Sequence, residues 1–194
     1  MTDGTLVIDN PEALLSREAE LRAGGATPRM RDAAASLGVP EAALIEARRA
    51  TAAARRLRRP DAPDGFGAVL ARLPEVGEVM ALTRNEACVH ELTGRFNPPE
   101  IEGAMGQVVG EIDLRLFLRG WAFGYMLDEE TRSGPRRSLQ FFDATGMAVH
   151  KVYATQGTDA EAFGRIVADF AEDGAAPARF AAPAVRAVDR PDAE

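Results

Sequence analysis

The chain has 194 residues, 46% of them hydrophobic, with a formal net charge of −7 and a pI near 5.0. A chain of this size buries a core as one globular domain, or as one with a small appended subdomain, and its negative balance argues against a protein that coats nucleic acid. No run reaches the roughly 18–20 apolar residues of a membrane span. The start MTDGTLVIDN places an acid where a secretory leader has its cation, and one cysteine cannot close an intrachain disulfide, in keeping with a reducing cytoplasm.

In chain order, NPEALLSREAELRAGG reads as a helix capped by Asn10, with Pro11 at its first position and Gly24 and Gly25 as its stop. TPRMRDAAASLG repeats that grammar, with Thr27 before Pro28 and Gly38 at the end, and VPEAALIEARR opens a third helix after a short turn. The pair MRDAAASLGVPEAALIEARR has the outline of a DNA-binding helix-turn-helix, followed by Arg48, Arg49, Arg55, Arg56, Arg58 and Arg59. Glu41 and Glu46 in its second helix would repel phosphate, so the expectation is a small helical subdomain with a solvated, arginine-rich exit. RPDAPDG is a turn-rich connector, and FGAVLARLP makes a short amphipathic helix that ends before Pro74.

From Glu78 the period changes. EVMALTRNE, ACVHELTGRF, AMGQVVG, DLRLFL, WAFGYMLDEE, RRSLQFFDA and MAVHKVYAT are short strand-like runs separated by turn signals such as Asn97-Pro98-Pro99 and Ser133-Gly134-Pro135. Short connections predict an antiparallel meander. TDAEAFGRIVADFAED closes the fold as an amphipathic helix capped by Thr158, with Phe163, Ile166, Val167 and Phe170 at helical spacing. The expected architecture is α+β: N-terminal helices over residues 1–60, one large antiparallel sheet with flanking helices over 61–173, and an Ala/Pro-rich linker or tail over 174–194. The helices available cover only part of such a sheet.

No Gly-rich phosphate loop, paired-cysteine metal signature or serine nucleophile elbow is present. Cys88 and His90 share one face of a strand, where they can meet a metal or a haem iron; the alternative is that Cys88 packs as a small hydrophobe and His90 pairs with Glu86 or Glu91. In DLRLFL, Leu114, Leu116 and Leu118 face one way and Arg115, Phe117 and Arg119 the other. Arg115 there is either a bidentate partner for a carboxylate beside an apolar surface or part of a solvated outer face. Lys151, the only lysine, and Tyr153 share a face opposite His150 and Val152, and either serve an anionic ligand or are a solvated lysine and a packed tyrosine.

LPEVGEVMALTRNEACVHELTGRF, followed by IDLRLFLRGW and RRSLQFFDATGMAVHKVYAT, resembles the N-terminal repeat of the HemS/ChuX family of bacterial haemin-utilisation proteins, the haemin-degrading factors. The resemblance implies a single HemS/ChuX-like repeat in a cytoplasmic haem-binding protein of haem uptake, trafficking and iron acquisition. Haem is then a ligand, or the substrate of a haem oxygenase-like ring opening that releases iron with an external reductant. It also implies a homodimer or a second repeat as partner, with a haem importer as another; nucleic acid and a membrane span are disfavoured already by charge and hydropathy. A half-domain that completes its haem site only with that partner is the third reading. By the same resemblance His90, in VHE, matches a haem-binding histidine and is the expected ligand of the haem iron, and Arg115 matches an arginine of the haem pocket. Lys151 and Tyr153 lie on the strand whose counterpart in the second repeat supplies polar pocket residues. The proximal histidine of long members lies in their second repeat, and the corresponding position here is Gly77.

Overall fold

The computed structural model describes residues 5–25, 28–85, 87–131 and 133–182. Its centre is a six-stranded antiparallel sheet built from β2 (Ala54–Leu57), β8 (Phe123–Thr131), β9 (Gly134–Phe142), β10 (Ala148–Thr158), β3 (Gly77–Arg84) and β4 (Val89–Arg95), in that spatial order. The single expected sheet is thus divided. β5 (Glu100–Glu102), β6 (Met105–Val108) and β7 (Leu114–Phe117) form a separate three-stranded sheet, and β1 (Leu6–Val7) pairs with β11 (Arg179–Phe180).

Strand alternation gives the large sheet two buried faces. On one, Leu57, Met126, Leu139, Phe141, Val152, Ala81 and Val79 join a core with Val69 and Leu70 of α4 (Gly67–Leu70) and with α5 (Ala160–Phe170). Val108 and Leu116 of the small sheet close the same core. On the other, Ala54, Tyr125, Leu127 and Phe142 pack under α1 (Pro11–Ala23), α2 (Met30–Leu37) and α3 (Glu41–Ala47). Ala33, Ala34, Ala42, Ala43 and Ala47 are fully or almost fully buried there, small side chains that let the helices lie close to the sheet. Each fully buried large side chain contributes about 1.5–3 kcal/mol by leaving water.

The helical pair is therefore a sheet cover. Every residue of α3 is buried, which removes it from any nucleic-acid groove. Its acids have internal partners: Glu46 accepts from Tyr125 Oη at 2.8 Å, and Glu41 reaches Lys151. The arginine-rich exit is half-buried to exposed, as expected, but several of its side chains are paired. Arg48 pairs with Glu18 at 2.6 Å, and Arg59 Nε donates to the Trp121 carbonyl at 3.0 Å. Arg49 Nη2 donates to the Ala175 carbonyl at 2.9 Å, Arg56 Nη1 to the Ala176 carbonyl at 3.0 Å, and Arg55 pairs with Asp173 at 3.0 Å. These clamps, with β2 among them, strap residues 171–178 to the domain and lead them to β11.

The start of α5 differs from expectation by one residue. Asp159, not Thr158, is the cap and accepts from Ala162 N; the Thr158 hydroxyl donates to the Glu78 carbonyl. Thr27 lies outside the described residues, and α2 begins at Met30 with Arg29 at the cap position. Residues 183–194 of the expected tail also lie outside them.

His150 projects into the core opposite the helical cover, 5.9 Å from the Trp121 ring, with Nδ1 3.0 Å from Thr83 Oγ1. Its Nε2 is buried without a hydrogen-bond partner, and burial lowers its pKa to about 4. Protonation then favours the unfolded chain, whose histidine titrates near 6.5. The stabilisation is complete above about pH 6.5 and is lost as pH falls towards about 4, by about 3 kcal/mol in all. In urea unfolding followed against pH, His150→Leu is expected to abolish this part of the acid destabilisation; an unchanged pH profile would exclude it.

Candidate functional site

Between the start of α2 and the sheet lies a cleft of about 130 Å³. Its floor is set by register. Gln140, Lys151, Leu82 and Glu91 stand opposite one another across β9, β10, β3 and β4, and Tyr153 and Met80 make the next row. Arg29, Met30 and Arg31 form the helical wall, Glu41 enters from α3, and Arg84, Glu129 and Arg136 complete the rim. The cationic side chains Arg29, Arg31, Arg84, Arg136 and Lys151 outnumber the carboxylates Glu41, Glu91 and Glu129 by two.

Lys151 Nζ lies 2.5 Å from Glu41 Oε1, and the two side chains are only 7% and 6% exposed. Arg136 sits 4.8 Å over the Tyr153 ring and 3.2 Å from Glu129. Burial is the main cause that raises the Tyr153 phenol well above its ordinary pKa, so near neutral pH it keeps its proton and can donate it in a hydrogen bond. Two buried polar atoms of the lining have no partner: Arg84 Nε, a donor, and Gln140 Oε1. The Gln140 amide donates through Nε2 to Ser138 Oγ at 2.9 Å; rotated end for end, it would accept from that hydroxyl and turn its own donors to the cleft. Such a site accepts an anion rich in oxygen acceptors. At roughly 30 Å³ per water it holds a carboxylate-sized group and a few waters, and a fused ring system has to lie outside it.

The structure brings Lys151 and Tyr153 together, and places His90 and Arg115 elsewhere. His90 is exposed on β4 opposite Thr83, on the sheet face away from the cleft that its neighbour Glu91 lines. Cys88 is exposed just before β4, its backbone N held by Asn85 Oδ1 at 2.8 Å. Arg115 projects from the small sheet, 60% exposed and 3.2 Å from Asp113. Met105 and Phe117, directly paired across β6 and β7, are 61% and 65% exposed, two apolar side chains on an outer face they share with Glu100, Glu102, Gln107 and Arg115. Gly77 begins β3 at φ 79°, and a Cβ there would lie 3.0 Å from the Gly157 carbonyl oxygen, so this backbone favours glycine.

Sequence reasoning missed Gln140, Arg84, Arg136 and Glu41. Ser138 and Gln140 did carry a signal, since they alternate with Leu139 and Phe141 in RRSLQFF. Glu41 carried none, because nothing local tells a buried partner of Lys151 from an ordinary acid in a first helical turn. A second, open hollow of about 870 Å³ lies between the β8–β9 hairpin and α5, but Asp128 and Glu129 on its wall are already paired with Arg137 and Arg136. No metal-holding group of His, Cys, Asp and Glu occurs among the described residues, and no helix among them is long and apolar enough to cross a membrane.

The sequence profile of the haemin-degrading HemS/ChuX domain matches residues 38–170. The chain is 45% identical over 142 residues to the hemin transport protein HemS of Yersinia enterocolitica, a match covering 72% of this chain and 39% of that protein. Among solved structures, the heme degrading enzyme ChuS of Escherichia coli O157:H7 superposes with a TM-score of 0.80 at 36% identity, over 94% of this chain and 52% of that one. The heme-binding protein PhuS of Pseudomonas aeruginosa, in its holo form, gives 0.80 at 41% identity, over 92% and 50%. The chain thus spans about half the length of these structural relatives, and less of the curated one.

The buried pair has a measurable consequence. Lys151→Ala leaves the Glu41 carboxylate buried without its cation and is expected to cost about 3–5 kcal/mol in urea unfolding. A loss under 1 kcal/mol would mean that Glu41 reaches water.

Proposed function

This chain belongs to the haemin-degrading HemS/ChuX domain family, and on that premise we propose that it binds haem in the cytoplasm and carries it in haem uptake and iron acquisition. The observation that carries the reading is the cleft, whose surplus of two positive charges matches the two propionates of a haem. Its donors suit carboxylates, and Met30, Met80 and Leu82 offer apolar contact beside them. Haem fits the residues present on those terms, with the propionate edge held in the cleft and the ring outside it. Most of the affinity then comes from covering the porphyrin faces.

His90 and Arg115 are proposed as haem contacts at the open surfaces of the chain, His90 through an imidazole nitrogen to the iron and Arg115 through its guanidinium to a propionate. Since neither lines the cleft, they suit a haem shared with a second repeat or a second copy of this chain. The exposed Met105 and Phe117 beside Arg115 support that arrangement, because such a patch is normally covered. A haem importer is a further proposed partner, as the source of the cargo.

A second reading, favoured by the similarity to the E. coli enzyme, is haem degradation. Bound haem supplies the iron that reacts with oxygen and electrons from an external reductant, while the chain holds the ring and limits access to it.

Titration with haemin is expected to give a saturable shift of the Soret band whose wavelength changes in His90→Ala. Arg115→Ala is expected to weaken binding by about 1–3 kcal/mol, about five- to 150-fold in Kd. Equal spectra and affinities in both variants would remove these two residues from the site. For degradation, the haem complex incubated with reductant and oxygen should lose its Soret band and release iron; a persistent band would leave carriage alone.

A further inference from the structure

The cleft already contains a carboxylate. Glu41, the first residue of α3, sends its side chain under the helical cover to Lys151, and the two side chains are only 6% and 7% exposed. Lys151 is the only lysine of the chain and the most deeply buried cation of the cleft, so an incoming carboxylate that reaches the floor meets Glu41 first. Around the pair, by contrast, the lining is under-used: Arg84 Nε has no acceptor, and the Gln140 amide has one end unengaged. Each unpartnered buried atom costs stability that a polar group of a ligand would restore.

We propose that Glu41 is an internal competitor that occupies the carboxylate place on Lys151, and that ligand affinity at this cleft is set by displacement of its side chain. Glu41 is a specificity-determining residue in this scheme. A ligand with one weakly held carboxylate does not displace it, whereas a ligand with two carboxylates and an apolar body does, because Arg84 and Tyr153 add donors and the body adds buried area. This rests on the haem reading for the identity of the natural ligand, but not for the competition itself, which follows from the pair and the unpartnered atoms.

Glu41→Gln keeps the shape of the side chain and leaves an amide oxygen for Lys151, but removes the competing charge. It is expected to bind haemin about tenfold more tightly than wild type. Haemin dimethyl ester, which has no carboxylate charge, should bind the two proteins equally. A ligand-free arm uses protein labelled with ¹⁵N-lysine, in which the one Nζ resonance reports the partner of Lys151. Succinate should shift that resonance saturably in Glu41→Gln at concentrations that leave wild type unchanged.

Equal haemin affinities in the two proteins, with haemin binding intact, would overturn the inference and leave the haem reading standing. Absence of haemin binding in both would instead sink the haem reading, and the succinate arm would then decide: a shift confined to the variant supports the competitor, and equal responses refute it. If Glu41→Gln does not reproduce the wild-type circular-dichroism spectrum, Glu41→Asp, one methylene shorter with its charge retained, carries the same comparison with a smaller gain expected.

Discussion

Both faces of the six-stranded sheet are apolar where β8 and β9 cross its middle, and this constraint organises the molecule. Tyr125, Leu127 and Phe142 need one cover, and Met126, Leu139 and Phe141 another. The N-terminal helices supply the first; α4, α5 and the small sheet supply the second. Towards β10, β3 and β4 the helical cover no longer meets an apolar floor, and Gln140, Lys151, Tyr153 and Arg84 replace it. The cleft is what remains where a sheet cover ends over polar residues, so its position follows from the packing and not from any loop.

The same constraint accounts for the arginines. An alanine-rich helix surface packs closely but offers little polar anchorage, and Arg49, Arg55 and Arg56 supply it by tying the strap after α5 across the edge strand β2. Two of these bonds end on backbone carbonyls, which are positioned whatever residue they belong to. The strap then ends in β11 against β1, which fixes the path of the chain as it leaves the domain.

Much of this was legible in the sequence, and the parts that were not share a cause. Helix α1 announced itself through Asn10 and Pro11, and the strands of the large sheet through their alternation, because those signals are local. The faces of Arg115 and its leucine neighbours, and of Lys151 and Tyr153 against Val152, also follow from alternation alone. The division into a six-stranded and a three-stranded sheet does not, since a strand's partner is a long-range choice. β2 was hidden because ARRL is short and half cationic, and its role as an edge strand depends on β8, almost seventy residues away. The roles of Glu41 and Glu46 were hidden for a sharper reason: they looked like groups that repel phosphate, and they are the internal partners of Lys151 and Tyr125. A buried acid is defined by its partner, and the partner lies in another element.

The central claim is that the cleft beneath α2 receives the carboxylate edge of haem. A crystal structure of the chain grown with haemin tests it most directly. The account predicts a propionate oxygen within hydrogen-bonding distance of Arg84 or Lys151, with the porphyrin outside the cleft against Met80 and Leu82. Haem bound elsewhere on the chain, with Arg84 Nε still unpartnered and the Lys151–Glu41 pair intact, would contradict it.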